Sequence, residues 1–306
     1  MKPTNQQKLT NQPLIPSPVK NSQNKDTKRK QFEENGYFIF KNILDQNHLE
    51  SLREFSDEVL NQHDEDHFKV NRTTGSMALI DWAVVQKYKV LGDLVVHSKI
   101  KTIFYEMGFT DPKFGHGRII SKPPKSPRLF WHEDGRFWND PISYTTQPIQ
   151  CFLMYYLSNT SRDNGCIRVI PGSHRKRHKL HELAHEKHHD DLKTYANPED
   201  LQFQDVEGEI DVPLKAGDAL FGYANLFHAS HSNNSDEKRT LLTMWYYPDF
   251  ANLPERTQAT IFSVENQKNW PEFNKKEKEF FSPFRVNYQG NAEIIEPEWR
   301  PGKDLK

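Results

Sequence analysis

Three His-x-Asp tripeptides are the residues of this chain whose types and spacing best suit metal chemistry: His132/Asp134, His188/Asp190 and His189/Asp191. In an extended strand side chains alternate faces, so residues two apart point the same way. An imidazole and a carboxylate so placed, joined by a second histidine from elsewhere, form a facial triad that leaves metal positions open. Context separates the three pairs. The last two sit in a charged run without strand character. The first is flanked by Phe130, Trp131, Phe137 and Trp138, as expected of a partly buried pocket wall. The tripeptide alone more often marks a satisfied core histidine beside a surface acid, so the rest of the chain has to decide.

The elements that would position this pair follow from pattern. Tyr37 to Phe40 reads as a strand after an Asn35-Gly36 turn, with Phe32 in a short helix before it. Asp45-Gln46 starts a helix with Leu49, Leu52, Phe55, Val59 and Leu60 at helical spacing. Further helices are expected around Ile80 to Val96 and Lys99 to Met107. From His116 the character changes. Strand-like runs at Arg118 to Ser121, around His132, Gln150 to Leu157, Cys166 to Ile170, Ile210 to Val212, Ala219 to Tyr223 and Thr240 to Tyr247 alternate with Gly/Pro turns. That spacing suits a mainly β jelly roll with flanking helices. Residues 174–191 hold six of the fourteen histidines; with no ligand set closing around them, they read as a hydrated surface insertion rather than a second metal site. Lys275 to Phe281 reads as helical.

Composition bounds the rest. Residues 1–28 are polar and basic and read as a disordered tail. Residues 29–306 are expected to form a single domain: a helical part at about 29–115, a jelly-roll core at about 116–250 and a C-terminal extension at 251–306. A formal net charge of -1 gives no global attraction for nucleic acid or an anionic membrane. No apolar run is long enough to span a bilayer, and the N-terminus has no apolar signal core. Only Cys151 and Cys166 occur, which argues against a disulfide scaffold and for a soluble, cytoplasmic chain with reduced thiols. Oligomeric state is not legible.

The distal stretch Gly217-Asp218, His228, Ser230, Asn233, Ser235 and Arg239, taken with the His132 strand, resembles the phytanoyl-CoA dioxygenase family of iron(II)- and 2-oxoglutarate-dependent oxygenases. The family pattern is His-x-Asp, a long gap, His, ten residues, then Arg; His132, Asp134, His228 and Arg239 fit it. Asn35-Gly36-Tyr37, Lys122-Pro123-Pro124, Asn164-Gly165-Cys166 and Ile170-Pro171-Gly172-Ser173-His174 are family-like as well, so the resemblance covers roughly residues 30–247. It implies a double-stranded β-helix (cupin-like) core with Fe(II) held by His132, Asp134 and His228. It also implies 2-oxoglutarate and O2 as co-substrates and succinate and CO2 as co-products of hydroxylating a small-molecule substrate. Arg239 would bind the far carboxylate of 2-oxoglutarate through its planar fork, aided by Ser230. Trp138, with Arg136 and Phe137, would line the substrate pocket. Asn233 and Ser235 read as turn-forming. Related halogenases replace the carboxylate ligand with a small residue; Asp134 is present, so hydroxylation is favoured, with desaturation or cyclisation in natural-product biosynthesis still open. A catalytically silent jelly-roll binding or regulatory protein is the rival of a different class.

Overall fold

The computed structural model describes residues 22–96, 98–186, 190–265 and 270–306. Most of the expected basic tail, residues 1–21, lies outside them. So do His188 and His189, and with them the histidines of the two rejected tripeptides.

Helix α1, Ser22–Asn35, ends at Gly36, whose φ of +83° turns the chain into strand β1, Tyr37–Phe40. Helix α2, Gln46–Leu60, starts where the side chain of Asp45 accepts a hydrogen bond from the His48 N–H, an N-cap that satisfies an otherwise unpaired donor. Its Leu49, Leu52, Phe55 and Leu60 are buried. After α3, Glu65–Val70, the chain forms strand β2, Ser76–Ile80, which the sequence reading did not expect and which ends at Ile80, where it had placed the start of a helix. The helix expected to run to Val96 is two helices, α4 at Trp82–Lys87 and α5 at Lys89–Val96, divided at Tyr88, whose backbone is extended. Helix α6 spans Ser98–Glu106.

The strands that follow are β3 (Lys113–Lys122), β4 (Leu129–His132), β5 (Cys151–Tyr156), β6 (Ile167–Val169), β7 (Ile210–Val212), β8 (Ala219–Tyr223), β9 (His228–Ser230) and β10 (Arg239–Tyr247). A short helix α7, Asp190–Thr194, lies between β6 and β7, and α8 (Glu255–Val264) and α9 (Lys275–Phe281) follow β10. They build a six-stranded sheet, β1-β8-β5-β10-β3-β2, and a four-stranded sheet, β4-β9-β6-β7, with antiparallel neighbours throughout. This is a jelly roll, and both sheets line one internal cavity.

Alternation along β10 explains how the two faces of the large sheet divide. Leu242, Met244 and Tyr246 belong to the main core, where Phe104 of α6 packs on Tyr246 and the Tyr246 hydroxyl donates to the carbonyl of Val95. Arg239, Leu241, Thr243 and Trp245, the intervening residues, face the cavity. Burying each large apolar side chain contributes roughly 1.5–3 kcal/mol, so the helical layer and the sheet stabilise one another. Among the described residues no helix is long and apolar enough to cross a membrane. Cys151 and Cys166 are both free and buried.

Candidate active site

Cross-strand register places the two histidines. His132 ends β4 directly opposite His228 at the start of β9, and residues paired across a ladder hold their side chains close. The two rings lie 4.2 Å apart between centroids. Each donates its Nδ1–H to the carbonyl two residues earlier, His132 to Phe130 at 2.9 Å and His228 to Leu226 at 3.0 Å. That fixes the tautomer and leaves both Nε2 lone pairs for another partner.

Asp134 reaches the same point by a different route from the one the strand pattern predicts. β4 stops at His132, and the N–H groups of Asp134 and Gly135 both donate to the carbonyl of Ala224, which draws the chain off the ladder. The carboxylate still faces the imidazoles: Oδ1 lies 3.8 Å from Nε2 of His132 and Oδ2 lies 3.8 Å from Nε2 of His228. The Trp245 indole N–H donates to Oδ2 at 2.9 Å and sets the carboxylate's orientation. The three donor groups lie within 4.8 Å of one another, the spacing of a site for one metal ion. Two imidazole nitrogens and one carboxylate, with no further protein donor in the group, are a donor set that fits ferrous iron.

Beyond the cluster, toward Arg239, is a cavity of about 60 Å³. Several of its polar atoms lack partners. Ser230 Oγ, Tyr156 OH, Thr243 Oγ1 and Arg239 Nε are all buried and unbonded, and no carboxylate meets Arg239 among the described residues. Burial lowers the pKa of Arg239 from its ordinary value, with Tyr156 and Cys166 acting the other way. Lys122, opposite Arg239 in the β3–β10 ladder, is also fully buried. Its ammonium donates to the carbonyls of Thr73, at 2.7 Å, and Pro127. Burial, then the Arg239 and Arg168 charges, hold its pKa well below the usual lysine range. A buried guanidinium without an anion is costly, and with the Lys122 amine opposite it this end of the cavity suits a small carboxylate.

A second, larger cavity of about 420 Å³ adjoins the first and shares His132, Asp134, Leu129, Ile120 and Trp245 with it. Of the three residues expected to line a substrate pocket, Arg136 lines this cavity. Phe137 and Trp138 line neither cavity. Past Gly135 the chain turns away from the sheets: Phe137 pairs with Glu298, the Trp138 N–H donates to the Glu298 carbonyl, and the Trp138 indole packs on Tyr144 and His181.

The remaining motif residues hold the frame. Asn233 donates its amide to the carbonyls of Lys122, Pro123 and Glu237, and its Oδ1 accepts from Ser235, so it pins the proline loop before β4. Asp218 accepts from the Asn42 and Lys215 N–H groups and from Lys41. Ser173 accepts from the Phe227 N–H and so braces the residue before His228. The histidine-rich stretch is no hydrated insertion where it is described. His174 and His181 are buried, His174 against Tyr223 and His181 against Phe227, because this stretch closes over the loop leading into β9. A second grouping, Cys166, Asp211 and His231, is closed on itself. His231 donates to one Asp211 oxygen at 2.5 Å and Arg162 to the other at 3.1 Å, while burial pushes the Cys166 thiol up to about 11. It reads as a clasp between strands.

The residues that sequence reasoning missed are Lys122 as a cavity cation, Tyr156, Thr243 and Trp245. A signal existed for the last two. Counting in twos from Arg239 along β10 gives Leu241, Thr243 and Trp245.

The jelly roll and the clustered His132, Asp134 and His228 define the class, a jelly-roll protein with a candidate mononuclear metal centre. The chain matches the phytanoyl-CoA dioxygenase (PhyH) family over residues 32–241 and belongs to that family. The phytanoyl-CoA dioxygenase domain-containing protein 1 homolog of Caenorhabditis elegans is 25% identical over 184 residues, covering 57% of this chain and 60% of that protein. The chain spans 60% and 52% of the lengths of this relative and its Caenorhabditis briggsae counterpart. Among solved structures, the non-heme alpha ketoglutarate dependent carbocyclase SnoK from nogalamycin biosynthesis superposes with a TM-score of 0.53 at 22% identity, covering 72% of this chain and 82% of that one. EctD from S. alaskensis, solved with 2-oxoglutarate and 5-hydroxyectoine, gives a TM-score of 0.52 at 18% identity, covering 74% and 76%. At these identities the likeness to solved structures is one of fold.

Proposed function

We propose that this chain is an Fe(II)- and 2-oxoglutarate-dependent dioxygenase that hydroxylates a small organic substrate, with succinate and CO2 as co-products. One observation carries the reading: a single cavity joins the His132/Asp134/His228 cluster to Arg239, a buried guanidinium that no carboxylate neutralises among the described residues. Membership of the family supports it, and so does the 2-oxoglutarate bound in the EctD structure.

His132 and His228 would hold the iron through Nε2 and Asp134 through its carboxylate. Bound there, ferrous iron supplies the redox chemistry that couples oxidative decarboxylation of 2-oxoglutarate by O2 to oxidation of the substrate. Arg239 presents a planar fork to the far carboxylate, and Ser230, on the same face of β9 as His228, offers its free hydroxyl to the same group. The Tyr156 and Thr243 hydroxyls and the Lys122 ammonium complete a polar end for that ligand. Ile120, Leu129, Met154, Ile167 and Leu241 wall the cavity with apolar surface and keep bulk water from it. Trp245 holds Asp134 in one rotamer, so the carboxylate need not reorganise when metal arrives. The larger cavity, with Arg136, Gln150 and Trp299 on its wall, is the path and seat for the substrate.

Succinate release from 2-oxoglutarate in the presence of Fe(II) tests this reading without a known substrate, because slow uncoupled turnover needs only the iron and co-substrate sites. We expect succinate from the wild type and none above background from His228→Ala, with the far-UV spectrum of the variant unchanged. Wild-type rates in the variant would contradict the triad. Absence of succinate in both proteins would favour the silent-binder reading.

A further inference from the structure

The larger cavity has a charge pattern that the iron and co-substrate sites do not use. Met77, Leu129, Phe130 and Trp299 give it apolar and aromatic surface, while Arg118 and Arg136 bring positive charge; Lys193 also lines it but is paired with Asp190 at 3.1 Å. The one carboxylate among its lining residues is Asp134, already committed to the histidine cluster. Arg118 stands on the inner face of β3, two residues from His116 and two from Ile120, which also line the cavity. Its guanidinium has no hydrogen bond or ion pair among the described residues. Arg136 is only half engaged. Its Nη2 lies 3.6 Å from Oε1 of Glu265, and its Nε is buried without a partner. Glu265 also accepts from the Tyr247 hydroxyl and pairs with Nδ1 of His116 at 3.1 Å, and no ion pair joins it to Arg118 among the described residues.

The co-substrate's cations lie elsewhere. Lys122 is four residues from Arg118 on the same strand, a separation of about 13 Å at the rise of an extended chain, and it faces Arg239 across the ladder. The site therefore has two separate cationic ends, with the metal cluster between an inner one and an outer one. A partly buried guanidinium without a counter-charge raises the free energy of the empty cavity, and an anionic ligand removes that penalty.

We propose that the substrate is an organic acid. Its carboxylate binds Arg118, with Arg136 as a second cation, and its apolar body lies along Met77, Leu129, Phe130 and Trp299 toward His132 and Asp134. The oxidation of such a ligand rests on the function proposed above; its binding does not.

The test uses matched probes on the full chain. A set of ω-phenyl carboxylic acids, their amides and the corresponding phosphate monoesters is titrated into the protein under anaerobic conditions with saturating 2-oxoglutarate, with and without Fe(II). Tryptophan fluorescence is the readout, since Trp245 and Trp299 line the cavity. At least one acid should bind tenfold or more tightly than its amide, and Arg118→Gln should abolish that preference. Phosphate monoesters binding more tightly than the acids would move the oxyanion from carboxylate to phosphate and overturn the organic-acid assignment. The proposal is also overturned if no acid in the set binds more tightly than its amide, or if the preference survives in Arg118→Gln. The acid-to-amide ratio is measurable without iron. Failure of the iron and 2-oxoglutarate reading, seen as absence of the chelate's visible band, is therefore distinct from failure of the anion site.

Discussion

Arg239 and Trp245 show how differently two residues of one strand face can act. Arg239 is buried, unpaired among the described residues and aimed into the small cavity. Truncating one partner of a buried charge pair removes about 3 kcal/mol. Arg239→Gln should therefore raise the 2-oxoglutarate concentration for half-maximal succinate release about 100-fold and leave Fe(II) affinity nearly unchanged. Equal co-substrate requirement in both proteins would remove Arg239 from that role. Trp245 touches the cluster through its hydrogen bond to Asp134. Partners that orient metal ligands are worth about 10–100-fold in metal affinity, so Trp245→Phe should weaken Fe(II) binding by that factor in a direct titration. Unchanged affinity would show that Asp134 holds its orientation unaided. The grouping of His132, Asp134 and His228 and the placing of Ser230 and Arg239 on the same cavity were legible because two short spacings, His-x-Asp and His followed after ten residues by Arg, match the family pattern across a long gap. Lys122, Tyr156 and Arg118 were not, because they reach the cavity through the pairing of β3, β5 and β10, which no local spacing encodes. Trp138 was misplaced for the opposite reason. It is close to His132 in sequence, but the bend at Asp134 and Gly135 carries it out of the cavity wall.

At the scale of elements, the family-like motifs away from the cluster meet one another. The Gly172 N–H donates to the Asn35 carbonyl, and the His174 ring hydrogen-bonds the Glu33 carbonyl at 3.1 Å, so the turn after β6 clamps the end of α1. Gly36 is required there twice over. Its φ is +83°, and a Cβ at that position would stand 2.5 Å from Nδ1 of His174. The same turn, through Ser173, holds the chain that enters β9 and delivers His228. Burial pushes the pKa of His174 from 6.5 down to about 4, against the weaker opposing effect of its hydrogen bond to Glu33. Because the folded pKa lies below the unfolded one, the contribution is complete above about pH 6.5. It is lost progressively as pH falls toward 4, since the unfolded chain takes up the proton first. Between pH 7 and 5 this amounts to about 2 kcal/mol for a two-state transition. Urea unfolding of His174→Asn should lose about that much less stability over the interval than the wild type does. An equal loss in both would show that His174 is not kept neutral by the fold. Most strands of the core were readable from apolar runs bounded by turn residues, with β9, His228–Ser230, excepted. Strand β2 and the break at Tyr88 were not, because an edge strand followed by two short helices presents nearly the same apolar content as one longer helix.

For the molecule as a whole, the jelly roll encloses the cluster between its two sheets. Its large sheet carries the helical layer on one face and the cavity on the other, so every second residue of β3, β5 and β10 is available for chemistry while its neighbours hold the core. The cluster sits between two cationic ends, an inner one at Lys122 and Arg239 and an outer one at Arg118 and Arg136. That arrangement suits a small dicarboxylate and an acidic substrate approaching one metal from opposite sides. The most direct test of the central claim needs no substrate. Fe(II) and then 2-oxoglutarate are added to the metal-free protein without oxygen, and the visible spectrum is recorded. The account predicts a charge-transfer band that appears only when both are present and that is lost in His228→Ala. Iron binding without that band, at any 2-oxoglutarate concentration, would contradict it.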